Sequence, residues 1–166
     1  GALNGDSTAN LVAGLIIVLT NAMQKTEPTP TATGTTYTDP GQTYTIAYPN
    51  DVAPHPDTGG LVSMIKEGDT GTIEYLLMIV PGASVDFLSK ASIPLHEAGQ
   101  IENTIINGHT FQRITFQPVP GSNNSYIFQI LLLKTSNATY GFVLQGTLAT
   151  LVNAQKMLES FTLKNP

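Results

Sequence analysis

Asn107-Gly108 stands between two strand-like runs, Ile101 to Ile106 and His109 to Gln117. An Asn-Gly pair closes a two-residue β-hairpin because both central residues need positive φ, which these two adopt at least cost. Antiparallel pairing is therefore expected around it. Two further hairpins are expected on the same grounds. Tyr126 to Lys134 and Tyr140 to Gln145 flank Ser136-Asn137, and Leu61 to Ile65 and Thr72 to Val80 flank Glu67-Gly68-Asp69-Thr70-Gly71. Thr72 to Val80 starts alternating and ends continuously apolar, the pattern of a central strand covered on both faces. An earlier strand, with Tyr44, Ile46 and Tyr48 alternating with Thr45 and Ala47, stops at Pro49-Asn50.

Two helices are predicted among these strands. Ser84 can cap one that carries Phe87, Leu88, Ala91 and Leu95 on one side, kinks at Pro94 and ends at Gly99, placing His96 and Glu97 at its C-terminus. Thr147 opens the other, with Leu148, Leu151, Val152, Gln155 and Leu158 near one face. Hairpins mixed with two helices predict an α+β domain over residues 37–166, an antiparallel β-sheet with helices packed on it. Residues 50–60 (NDVAPHPDTGG) read as a loop.

Ahead of the domain, residues 1–25 are expected to form an apolar helix. Asp6, Ser7 and Thr8 can cap it, and Leu11, Leu15, Leu19 and Met23 recur every fourth residue. Its apolar core is shorter than the roughly 20 residues that span a bilayer, so it is read as a helix packed on its own domain or on a second subunit. A membrane-associated segment and a leftover signal segment are the alternatives. Residues 26–36 form a Pro/Thr-rich linker, read either as a tether or as a plain loop. Gly1 is read as the scar of a removed leader or lipid anchor.

Charged residues make up 11% of the chain, against roughly 25% in soluble domains. Thr, Asn, Gln, Ser and Gly take their place, which suits an extracytoplasmic surface. Seven Lys and Arg and a net charge of −5 leave no basic patch to neutralise phosphates, so nucleic acid is not an expected partner. The chain has no cysteine, which excludes disulfides, thiol catalysis and cysteine zinc sites.

The order of these elements, an aromatic strand ending in Tyr48-Pro49, two strands, a helix, a strand ending at Asn107-Gly108, three strands, a helix and a closing Glu159-Ser160-Phe161, resembles the Mog1/PsbP-like superfamily over about residues 37–164. The resemblance implies an α/β/α sandwich. It also implies a non-enzymatic accessory or binding role, often in an exported protein such as a small bacterial lipoprotein, and it carries over no catalytic residue.

Asp51, His55 and Asp57 are metal-ligand types on one predicted loop, and Glu67 and Asp69 are oxygen donors in the nearby hairpin. A divalent metal there is the candidate site, and a solvated turn-rich loop is the alternative. His109 and Arg113 share a strand face, as a polar site or a solvated edge. The hydrolase motifs G-x-S-x-G, H-E-x-x-H and S-x-x-K and the nucleotide-binding glycine loops are absent. Asn123-Asn124-Ser125 and Asn137-Ala138-Thr139 read as turns. The leading expectation is a non-enzymatic, extracytoplasmic binding or accessory module, lipid-anchored at the membrane, with a protein partner or self-association and no cofactor. A metal-dependent or hydrolytic enzyme using residues 50–60, and a structural protein oligomerising through its N-terminal helix, are the rivals.

Overall fold

The computed structural model describes residues 35–164. The helix expected over 1–25 and the linker up to residue 34 lie outside the described residues. The chain folds as strands β1 (Thr35–Thr38), β2 (Tyr44–Tyr48), β3 (Ala53–Pro56), β4 (Val62–Glu67), β5 (Ile73–Pro81), β6 (His96–Ala98), β7 (Glu102–Ile106), β8 (His109–Pro118), β9 (Ile127–Lys134) and β10 (Thr139–Gly146). Helix α1 (Leu151–Glu159) and strand β11 (Thr162–Leu163) close it. All pairings are antiparallel. An eight-stranded sheet runs β3-β4-β5-β10-β9-β8-β6, with β7 also on β8, and a three-stranded sheet runs β1-β2-β11.

β5, β9 and β10 are buried on both faces, which is why they read as almost unbroken apolar runs. One face carries Leu77, Leu131, Phe142 and Leu144. Against it pack Tyr44 and Ile46 of the small sheet, Ala154 and Leu158 of α1, and Phe161. The other face carries Met78, Ile130, Leu132 and Val143, covered by Ala83, Phe87, Leu88 and Ile93. Each buried Leu, Ile, Val, Met or Phe among them contributes about 1.5–3 kcal/mol by leaving water.

The α+β class and the antiparallel sheet are as expected, but the second flanking helix of an α/β/α sandwich is not present among the described residues. Residues 85–90 are turns where a helix opening at Ser84 was expected. Ser84 spends its hydroxyl on the Asp86 carboxylate. Of the backbone bonds that follow, Phe87 N–H to Ser84 C=O and Ala91 N–H to Leu88 C=O span three residues, and only Lys90 N–H to Asp86 C=O spans the four of an α-helix. Pro94 disfavours helical geometry at Ile93, and Leu95 turns the chain at φ +61. His96 and Glu97 consequently lie in β6, not at a helix C-terminus. The apolar side chains still reach the sheet: a Cβ on Gly141 would stand 2.8 Å from the Phe87 ring, so that glycine makes room for the segment.

Besides β6, strands β3 and β1 lie where none was expected. β3 falls inside the predicted 50–60 loop, and β1 begins at Thr35, with Thr36↔Ala47 and Tyr37↔Ile46 in register. The β1–β2 turn is held by Asp39, whose carboxylate accepts the N–H groups of Thr43 and Tyr44 and the Thr43 hydroxyl.

Tyr44 is fully buried against Phe161, Tyr140 and Tyr37, at centroid distances of 5.0, 5.9 and 6.3 Å. Its hydroxyl has no hydrogen-bond partner among the described residues. An unpaired buried hydroxyl costs about 1–3 kcal/mol, so Tyr44→Phe is expected to leave stability unchanged or to raise it by about 1 kcal/mol. Burial, then the fields of Tyr37, Asp39 and Tyr140, raise the Tyr44 hydroxyl far above the usual tyrosine value. Burial, then the negative charges of Asp51 and Glu74, push Tyr75 up to about 12. The unfolded chain loses these protons near pH 10 while the folded chain keeps them. Stability is therefore insensitive to these groups below pH 10 and falls as pH rises from about 10 to 12. Urea midpoints at pH 8 and pH 11 should show a drop, smaller in Tyr44→Phe. Equal drops in the two proteins would contradict the assignment to Tyr44.

Candidate functional site

A recess of about 560 Å³ opens where the end of β2 meets the β4–β5 hairpin and α1. Each wall has a local cause. Pro49 ends β2, and the buried Val52, with its N–H on Pro49 C=O at 3.1 Å, holds Asp51 out at the rim. The regular β4–β5 register sets Lys66 opposite Tyr75, and it shifts only beyond Lys66. Thr150 donates its hydroxyl to Glu74 C=O at 2.6 Å and so fixes the start of α1. Ser160 ties the helix end to β2, accepting Ala47 N–H at 2.9 Å and donating to Met157 C=O at 2.7 Å.

The groove carries both signs of charge. Lys66 and Lys156 supply ammonium groups, Asp51 and Glu74 carboxylates, and Tyr48, Tyr75 and Asn153 neutral polar atoms. Lys66 Nζ lies 3.7 Å from Glu74 and donates to Glu67 C=O at 2.8 Å. This is a recess with apolar walls and polar groups at its rim, a form in which proteins hold small ligands. A second cavity of about 240 Å³ lies under β7 and α1, where Gln155 donates to Gln129 at 2.9 Å.

Of the three residues predicted from sequence, Asp51 lines the groove. His55 lies on β3 opposite Ser63. Asp57 uses its carboxylate to accept Gly59 N–H at 2.8 Å and Leu61 N–H at 3.0 Å, closing the β3–β4 loop. A strand advances about 3.3 Å per residue, so β3 spreads these residues along one edge. Among the described residues no three His, Asp or Glu side chains are grouped to share a metal ion.

Two other polar residues singled out from sequence, Arg113 and His96, are paired locally. Arg113 holds Glu102 at 3.1 Å across β7–β8. Both ring nitrogens of His96 lie 2.8 Å from carbonyl oxygens, of Pro94 and Tyr126, and its ring stands edge-on to Phe128. Lys66, Glu74, Tyr75 and Lys156 were not foreseen as one site. Part of it was within reach: counting back from the 67–71 turn sets the ends of β4 and β5 side by side, but no spacing places α1 beside them.

No family model matches the sequence, and a search of curated proteins finds no match. Solved structures do match in shape. A Bacteroides thetaiotaomicron protein aligns at a TM-score of 0.55 and 12% identity, over 81% of this chain and 50% of its own; this chain spans half that protein's length. Cyanobacterial PsbP from Synechocystis aligns at 0.51 and 13% identity, over 83% of this chain and 95% of its own. LpqN, involved in cell envelope biogenesis of Mycobacterium tuberculosis, aligns at 0.46 and 12% identity, over 84% and 87%. The match to cyanobacterial PsbP is one of fold, the PsbP/Mog1-like fold that the sequence of this chain resembles.

Proposed function

We propose that this chain is a non-enzymatic, extracytoplasmic binding or accessory module, carried on a membrane tether, and that it recognises its ligand in the groove beneath the Tyr48-Pro49 strand end. The groove is the observation that carries this reading. Its two ammonium groups and two carboxylates are displayed from fixed elements around a recess of about 560 Å³, which suits a ligand that itself carries both charges. Few charges and a neutral polar surface support an extracytoplasmic setting, and the fold likeness to cyanobacterial PsbP accords with an accessory role.

Zwitterionic dipeptides are the probe. Titrated into the isotope-labelled chain, they are expected to shift the amides of Ala47, Tyr75 and Lys156. Loss of charge-assisted bonds worth about 1.5–3 kcal/mol should weaken binding at least about 10-fold in Lys66→Ala/Lys156→Ala. Both side chains are partly or fully exposed, so the double variant should keep its stability within about 0.5 kcal/mol. Shifts that the double variant leaves unchanged would remove the groove from the proposal. Recovery of the full-length gene product in the cytoplasm on cell fractionation would remove the extracytoplasmic part.

A further inference from the structure

The eight-stranded sheet ends differently on its two sides. At one end, β3 contains Pro54 and Pro56. Asp57 N–H bonds to Leu61 C=O at 2.9 Å, and the two-residue alternation of an antiparallel ladder makes His55 and Ala53 the other residues bonded to β4. The prolines thus occupy the positions whose N–H groups would point away from the sheet. That edge offers no donor at either of them, a common guard against strand addition.

At the other end, β7 reads Glu102-Asn103-Thr104-Ile105-Ile106, without proline. The Asn107-Gly108 turn has φ of 51 and 81 and closes Ile106 and His109 as a hydrogen-bonded pair. Thr104 and Glu102 follow as the bonded positions opposite Phe111 and Arg113. Asn103 and Ile105 are left with N–H and C=O directed away from the sheet. Ile105 is 74% exposed and Ile101, just before the strand, is 45% exposed.

We infer that β7 is a homodimer interface at which a second copy of this chain adds its own β7, antiparallel, about a two-fold axis at Thr104. The register is self-complementary. Asn103 faces the partner's Ile105, and the reverse holds across the axis, so every outward backbone group of these two positions finds its bond. Within the paired strands no like charges face each other. Glu102 stands opposite the partner's Ile106, and its carboxylate is already held by Arg113. The two Ile105 side chains become diagonal neighbours and shield each other from water. Neither outward position carries the lysine or proline that would block pairing. Each chain carries −5, so screening by added salt should strengthen the association.

Sedimentation of the whole 166-residue chain over a concentration series tests this. The wild type is expected to reach twice the chain mass as concentration and salt rise. Ile105→Pro removes an outward N–H that the fold does not use and should stay at one chain mass with an unchanged circular dichroism spectrum. Ile105→Lys keeps the N–H but sets like charges beside the axis; it should also stay single, and it decides the matter if the proline variant misfolds. A wild type of single mass throughout overturns the inference. If its Asn103 and Ile105 amides are then protected from hydrogen exchange, residues 1–34 of the same chain cover the edge; if they exchange freely, the edge is left to another protein's strand. A dimer that persists in both variants uses a different surface and equally overturns it.

Discussion

Phe161→Ala is expected to cost about 3–5 kcal/mol, the usual range for deleting a buried phenylalanine ring. Phe161 is 1% exposed and meets three aromatic rings, Tyr44 at 5.0 Å, Phe142 at 5.1 Å and Tyr140 at 5.6 Å. These rings come from both sheets, so the side chain joins the two layers where α1 ends. Its backbone serves the same junction: the N–H donates to Leu158 C=O at 3.0 Å, and the C=O accepts Asn107 Nδ2 at 3.0 Å. Neither layer can close over the hole without giving up contacts with α1, so the cavity should persist. Domains are commonly stable by about 5–15 kcal/mol, and the loss is a large part of that. At roughly 2–4 °C per kcal/mol for a chain of this length, melting should fall by about 10 °C. Phe161→Leu keeps most of the volume and should cost clearly less. Urea titration of the two variants checks the ranking, and a loss under about 1 kcal/mol in Phe161→Ala would show that the two sheets do not meet through this ring.

The closing Ser-Phe of the sequence was legible as a fold marker, and so were the hairpins. Asn107 and Gly108 take the positive φ values that their types favour, and β5, β9 and β10 read as buried because both their faces are covered. Breaker rules failed at the periphery. β3 holds two prolines because an edge strand needs donors on one side only, so its sequence looks like a loop. The 84–95 segment has helix-compatible apolar spacing, yet its side chains reach the sheet from successive turns, since Pro94 and the Ser84–Asp86 contact oppose a continuous helix. The groove was legible only at Asp51. Its other charges come from a hairpin and from a helix some 80 residues further along the chain, brought together by the docking of α1 on β5.

That docking rests on Gly146, and Gly146→Ala is expected to lose about 3 kcal/mol, the upper part of the range for overpacking a core. A Cβ at this position would stand 2.7 Å from both the N and the Cα of Leu151 and 3.0 Å from Thr150 Oγ1. The atoms it meets are the backbone of the first helical residue, which cannot swing aside as a side-chain tip can. The helix start cannot retreat freely either, because Thr150 is bonded to Glu74 C=O at 2.6 Å and to Thr147 N–H at 2.8 Å. Relief must come from lifting α1, which withdraws Ala154 and Leu158 from the core and shifts Asn153 and Lys156 in the groove wall. Gly108→Ala is the comparison. Gly108 has φ of 81 and nothing within 4 Å of a built Cβ, so alanine there should cost only about 1–2 kcal/mol of left-handed strain. If crowding against the helix start is what Gly146 avoids, Gly146→Ala is the less stable of the two in urea and also weakens dipeptide binding in the groove, whereas Gly108→Ala leaves binding intact. The reverse order of stability would mean that α1 can rise from β10 at little cost and that the groove wall is not fixed by this contact.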